Sequence, residues 1–334
     1  MKKIIGIAFA LLLGTARAGT FSQETLLRDK DVIWGFDFLA DGKVIYTTRS
    51  GRLQLFDVAS KKNMQISGAP AVYAVGQGGL LDVRVHPRTG FIYVSYSEPK
   101  GGDKSATVLA RFKLGSGKVT EFKKIFEADA NGNPYHYGSR IEFLEDKVFL
   151  SSGERGDRPQ VQNPKSFVGK IIRMNEDGSG AEVWCRGLRN PQGLTVRPGT
   201  TELWEAEMGP QGGDEVNVIK RGANYGWAVV TYGEEYGGGK IGEGTAKAGM
   251  EPPFLYWVPS ISPSALTFWR GDLWLGTLSG EHLRRIVLKD AKVVTQEVHF
   301  KELGQRFRNV RPGPDGALWY STDEGALGRV LPAK

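Results

Sequence analysis

Between Trp184 and Trp227 the chain reads WCRGLRNPQGLTVRPGTTELWEAEMGPQGGDEVNVIKRGANYGW. Arg189, Asn190, Gln192, Glu207, Asp214, Glu215 and Asn217 fall there among glycines and prolines that forbid a long helix. Their side chains must therefore stand on tight turns, the usual place for a binding site. The apolar pieces LTV, ELW and VNVI are of strand length. Polar loops alternating with short strands come to neighbouring positions on one surface. MGPQGGDEVN joins the backbone carbonyls of a Gly-Pro turn to the carboxylates of Asp214 and Glu215, a hard oxygen set of the kind calcium takes. A solvated acidic turn has the same composition.

Two further groups have chemistry to offer. His136, in NPYHYGSRIEF, lies between a turn and a strand, where an imidazole titrating near neutrality can act as a general base; a structural histidine fits the same position. His86, His282 and His299 have no convergent partners and read as structural. In GQRFRNVRPGPDG, Arg306 and Arg308 alternate at the period of a strand, which sets their guanidinium groups side by side. Such a pair repels unless an anion lies between, so it reads either as a carboxylate or phosphate clamp or as solvated arginines on an edge strand. HExxH, paired CxxC, a Walker lysine and GxSxG are absent, which removes zinc peptidases, nucleotidases and ordinary serine hydrolases. Cys185, the single cysteine, reads as a small buried hydrophobe beside Trp184.

The elements that must carry these residues recur. GFDFLADGKVIYTTRSGRLQLFDVA sets a turn, an alternating strand, a second turn and another strand. The same shape returns from Val85, Phe143, Val196, Phe268 and Gly313. Six units without helical periodicity predict an all-β fold, a six-bladed β-propeller with four strands per blade, rather than a β-sandwich. In ATVLARFKLGSGKVTEFKKIFEA, Gly115 to Gly117 mark a hairpin turn. The Gly-rich stretch from Gly233 to Pro252 reads as a surface excursion, either a rim over the site or a mobile insertion.

MKKIIGIAFALLLGTARAGT has the basic start, short apolar run and small-residue end of a secretory signal peptide over 1–18. A single propeller domain over 19–334 and a periplasmic location are therefore expected. No later run is long and apolar enough to span a bilayer. Removing Lys2, Lys3 and Arg17 lowers the formal charge from +7 to +4. These scattered charges include no basic stripe, so nucleic acid is not expected as a partner.

Seven motifs, in order, complete the reading: GQGGLLDVRVHP from Gly76, HYGSRIEF from His136, GLRNPQGL from Gly187, EMGPQGGDEVN from Glu207, GANYGW from Gly222, PSISPSALTF from Pro259 and QRFRNVRPGPDG from Gln305. Together they resemble the soluble aldose sugar dehydrogenases of the glucose/sorbosone dehydrogenase group, which depend on pyrroloquinoline quinone (PQQ). The resemblance implies PQQ on the top face of a propeller, with Ca2+ bridging the quinone and backbone carbonyls. It implies that His136 takes the proton of the anomeric hydroxyl while hydride passes from C1 of the sugar to C5 of the quinone. Arg189 is implied beside His136 at the reacting centre. Gln77, Arg189, Asn190, Arg306 and Arg308 match cofactor-contacting positions; Gly209 and Pro210 match carbonyl donors to that calcium. Glu215 and Tyr225 match ligands of a second calcium, with Glu235 as a third. Trp257 and Ser260 match the substrate pocket wall. The implied partners are a small aldose, oxidised to its lactone, and an external electron acceptor.

The chain departs from that pattern at Met208, where histidine or glutamine is usual, at Ser279, where a lysine is usual, and at Tyr135, where an aspartate sometimes stands. Loss of a lysine weakens the hold on a tri-anionic ligand by about 1 to 3 kcal/mol unless Arg284 or Arg285 replaces it. Two other readings are a calcium-dependent propeller lactonase or esterase, and a propeller that binds a ligand without catalysis.

Overall fold

A computed structural model describes residues 21–332. The signal peptide expected over 1–18 lies outside the described residues. Six four-stranded antiparallel sheets make up the fold, and their innermost strands are Ile33–Phe38, Leu80–Val85, Gly138–Leu144, Pro191–Val196, Pro263–Trp269 and Phe307–Pro312. Each packs beside the next and the sixth beside the first, closing a ring. This is the six-bladed propeller that the repeats predict. Every recurring unit of the sequence supplies the second strand of one blade and the turn that leads into it.

The sixth repeat contributes only three strands. Its outer strand is Ser22–Arg28, which pairs antiparallel with Ala326–Leu331 and joins the two ends of the chain. Closure of the ring in this way leaves only short outer edges. The Ser116-Gly117 turn links Ser105–Gly115 to Lys118–Glu127 with φ of 48° and 76°. Both values are those of a hairpin turn matched to strand twist.

One apolar cluster fills each seam between neighbouring blades. In the seam of blades four and five Trp204 meets Phe254 and Phe268 edge-on, with ring centroids 4.8 and 5.4 Å away. Each large apolar side chain removed from water contributes about 1.5 to 3 kcal/mol. Those seams stabilise the fold without any disulfide, and Cys185 is buried in one of them.

Two short helices escape the sequence reading, an α-helix at Arg158–Gln162 and a 3-10 helix at Lys301–Leu303. One turn is too short to leave a periodic signature. The buried Lys170 holds the first helix, its Nζ donating to the Val161 carbonyl at 2.7 Å.

All six innermost strands break register with the second strand at their first residues. A bulge there re-aims a side chain. Trp34, Gln192 and Arg308 sit in three of these bulges, and all three face one cavity on the propeller axis.

Candidate active site

That cavity has a volume of about 700 Å³. Its wall comes from two sets of loops at the same end of the ring. The segments entering the innermost strands bring Gln77, His136, Arg189, Asn190, Ser260 and Arg306. The segments leaving the second strands bring Arg49, Met208, Leu278 and Asp323.

His136 is held from two sides. Its backbone N–H donates to Gln77 Oε1 at 2.8 Å, in a left-handed conformation with φ of 57°. Its Nδ1 lies 2.7 Å from Glu154 Oε1, and Glu154 Oε2 accepts from Trp227 Nε1 at 3.1 Å. Burial lowers the imidazole pKa below its ordinary value; Glu154 opposes this and Arg189 reinforces it. Burial alone would raise the Glu154 carboxyl, but the contact with His136 brings it below the usual range. A neutral imidazole backed by a carboxylate is the arrangement of a general base.

Asn190 Oδ1 accepts from Gly138 N–H at 3.3 Å, and its Nδ2 lies 3.7 Å from Met208 Sδ. The loop of Gly209 and Pro210 is fixed by Asp214. This buried carboxylate accepts from Gly209 N–H at 2.9 Å, Ile261 N–H at 2.6 Å, Ser262 N–H at 2.7 Å and Ser260 Oγ at 3.0 Å. Only glycine fits at 209, since a Cβ would come within 2.4 Å of the Gly212 and Gly213 carbonyls.

Asp214 therefore supports the carbonyl loop from within instead of forming an acidic turn in solvent. Among the described residues no three His, Cys, Asp or Glu side chains are arranged to hold a metal ion.

Arg306 and Arg308 do stand side by side, but the anion between them belongs to the chain. Asp323 Oδ2 accepts from Arg306 Nε at 2.9 Å, and its Oδ1 from Arg308 Nε at 2.7 Å. Burial would raise the Asp323 carboxyl, and Arg308 and Arg306 overcome it, holding the pKa below the usual range. Arg308 Nη1 also donates to Gln192 Oε1 at 2.8 Å. Under this floor the buried Arg140 joins blades, donating to Asp82 at 2.9 Å, the Gln192 carbonyl at 2.7 Å and the Ser264 carbonyl at 2.9 Å.

One residue expected at the pocket wall lies elsewhere. Trp257 is packed in the seam of blades four and five, its Nε1 donating to Gln296 at 3.0 Å, and is not part of the cavity wall. Alternation along the strand Leu255–Trp257 turns it inward. Glu215 is buried with Glu205, Glu207 and Asn217, while the Tyr225 hydroxyl is committed to Lys220 N–H and the Val218 carbonyl. Glu235 pairs with Arg158. Arg284 bonds Gln296 and His282, and Arg285 pairs with Asp272 and Glu297, so neither replaces the lysine missing at Ser279. Ser279 itself lines the cavity 2.8 Å from Ser262 Oγ.

The remaining histidines are structural, as expected. His86 Nδ1 accepts from Thr89 N–H at 3.2 Å, His282 Nδ1 lies 2.7 Å from the Gly280 carbonyl, and His299 pairs with Glu297.

Sequence reasoning missed Glu154, Asp323, Arg49 and Tyr236. The first three carry a signal: each falls one or two residues beyond a blade's second strand, the same place in the repeat as Met208. Tyr236 belongs to the Gly-rich excursion. That segment is a rim of the cavity, since Glu234 exchanges backbone hydrogen bonds with Gln211 and Tyr236 lines the opening.

The chain as a whole is similar to known proteins. Residues 30–331 match the family model described as Glucose / Sorbosone dehydrogenase. The chain is 35% identical to the aldose sugar dehydrogenase YliI of Escherichia coli strain K12, over 95% of this chain and 94% of that protein. It superposes on the crystal structure of the soluble aldose sugar dehydrogenase from Escherichia coli in the apo-form with a TM-score of 0.87 and 34% identity. That match spans 94% of this chain and 100% of the other. The PQQ-bound aldose sugar dehydrogenase from Streptomyces coelicolor matches with a TM-score of 0.78 and 27% identity, over 94% and 99%. By the match over residues 30–331, and by relatives similar over more than nine-tenths of its length, the chain belongs to the glucose/sorbosone dehydrogenase family.

Proposed function

We propose that this protein oxidises aldose sugars at C1 to the lactone with PQQ and calcium, and passes the electrons to an external acceptor. The observation that carries the reading is His136, backed by Glu154, in the wall of a cavity that also holds Arg189, Arg306 and Arg308. The similar proteins described as aldose sugar dehydrogenases, one of them PQQ-bound, support it.

The residues present fit the cofactor. Three arginines suit a ligand with three carboxylates, and Arg49 adds a fourth cation to the wall. The buried Arg189 Nε has no acceptor among the described residues, as expected of a group meant to meet a ligand. Gly209 and Pro210 are held at the cavity by Asp214 and would offer carbonyls to calcium. Bound there, PQQ would supply the acceptor for the hydride of C1, and calcium a Lewis acid beside it.

The protein's own part is proton transfer and orientation. His136 takes the proton of the C1 hydroxyl, and Glu154 stabilises the imidazolium that results. Trp227 keeps Glu154 in place, and Gln77 fixes the backbone of His136. Tyr236, 72% exposed at the opening, gives a sugar ring an apolar face to lie against. The leader over 1–18 makes the enzyme a periplasmic one in this proposal.

Thermal unfolding of the mature, metal-stripped protein tests the cofactor reading. Calcium and PQQ together are expected to raise stability by a few kcal/mol at concentrations well above their dissociation constants. Dye reduction with a panel of aldoses then reads catalysis. A protein that gains nothing from the pair, or gains it without turnover, overturns the reading.

A further inference from the structure

Arg189 occupies the oxygen that calcium would need. Its Nη1 donates to the Gly209 carbonyl at 2.6 Å and to the Met208 carbonyl at 3.0 Å. The residue is only 5% exposed, and the rings of Trp227 and Tyr236 stand 5.4 and 6.0 Å from its guanidinium carbon. With the side chain in this seat, its Nε is buried without an acceptor. A buried N–H in that condition is destabilising, so a second seat that supplies an acceptor competes well.

The surroundings determine what can move. Arg189 is fixed through its backbone, since its N–H donates to Glu207 Oε2 and its carbonyl accepts from Glu154 N–H at 2.7 Å. Gly209 is fixed by the bond of its N–H to Asp214. Only the arginine side chain is free to leave. Calcium binds oxygen at about 2.3 to 2.6 Å, so on the same carbonyl it would stand within about 5 Å of Arg189 Nη1. Two cations that close in a buried site repel strongly.

We infer that Arg189 is a placeholder cation, holding the Gly209 carbonyl until calcium takes that oxygen and then turning its guanidinium to the anionic oxygens of the quinone. The inference rests on the cofactor reading proposed above. It makes the two ligands cooperative. Calcium alone must displace Arg189 from two carbonyls, whereas bound quinone would add anionic oxygens to receive the guanidinium. Coupling of this kind is reciprocal, each ligand tightening the other by the same factor. Asp323 already shares its single negative charge between Arg306 and Arg308, whereas among the described residues no carboxylate is paired with the Arg189 guanidinium.

Isothermal titration calorimetry with calcium tests this on the mature, metal-stripped protein, with and without PQQ, in wild type, Arg189→Met and Arg189→Lys. Without quinone, Arg189→Met is expected to bind calcium about tenfold or more tighter than wild type, the worth of a charged hydrogen bond. Addition of PQQ tightens calcium binding in wild type and does so far less in Arg189→Met. A binding event abolished by Glu215→Gln belongs to another site and is set aside.

Equal calcium affinity in wild type and Arg189→Met, with the effect of PQQ undiminished, overturns the placeholder. If Arg189→Met does not fold, Arg189→Lys decides the matter. Its ammonium ends one bond short of the place that Nη1 takes between the two carbonyls, so calcium binds several-fold tighter, and an unchanged affinity overturns the inference. If no form binds calcium even with PQQ, the cofactor reading itself has failed.

Discussion

Glu154 Oε1 lies 2.7 Å from His136 Nδ1, a contact that joins the loop after one strand of blade three to the segment leading into another. It fixes Nδ1 as the protonated nitrogen of the neutral ring and leaves Nε2 as the base. His136→Ala is expected to abolish sugar oxidation while PQQ remains bound. Glu154→Gln should lower kcat about 100-fold, within the range of general base contributions. Stopped-flow reduction under saturating sugar and cofactor reads both effects, and full turnover in either variant removes that residue from the mechanism.

The pH profile follows from the same contact. Burial holds the His136 pKa below 6.5, and the base works when neutral. The acid limb of kcat/KM is therefore expected below pH 6.5, with a flat profile across neutrality. Glu154 raises this pKa, so Glu154→Gln moves the limb to still lower pH as the plateau drops. A limb that moves upward contradicts the assignment. In the unfolding equilibrium the depressed His136 pKa means that the unfolded chain takes up a proton first, so stability falls as pH drops below 6.5.

Asp214 satisfies three backbone N–H groups and the Ser260 hydroxyl. Asp214→Ala leaves them buried and unpaired, with an expected loss of about 3 kcal/mol. Because Gly209 is one of the partners, calcium binding in the presence of PQQ should weaken too. Urea unfolding with parallel calcium titration measures both, and retained stability contradicts the support role.

Asp323 separates two arginines, one of them buried. Asp323→Asn leaves the Arg308 charge uncompensated, at an expected cost of about 2 to 4 kcal/mol. Inorganic phosphate or PQQ should recover part of that loss by replacing the missing anion. Differential scanning calorimetry over a phosphate series checks this; a variant as stable as wild type without any anion refutes it.

Three glutamates lie together in blade four without a cationic side chain bonded to them. Burial raises the carboxyl pKa of Glu205 and Glu215, and brings Glu207 to about 7. Among the described residues Glu205 Oε1 and the side-chain amide oxygen of Asn217 have no partner. A raised folded pKa makes stability fall as pH rises from 4.5 through the folded value. With a chelator present, Glu205→Gln should therefore gain about 1 to 2 kcal/mol at pH 8 and less at pH 5. Thermal unfolding at the two pH values measures the difference, and an equal effect at both refutes the account.

The propeller was legible from the sequence because strand alternation and turn residues act within a few positions, and repetition multiplies a weak local signal. Six turn and strand units are enough to count blades, and the polar loops between Trp184 and Trp227 lie where the cavity is. His136, Gln77, Asn190, Arg189 and the Arg306 and Arg308 pair were identifiable as residue types in a family pattern. What each of them touches was not. Arg308 meets Gln192 across 116 residues of sequence, and only closure of the ring brings such groups together. Tertiary structure alone set Asp323 between the arginines, Glu154 behind His136 and Arg189 on the Gly209 carbonyl. It also turned Trp257 into a seam and tied Arg285 to Asp272, because packing between blades, and not local periodicity, determines where a long side chain ends.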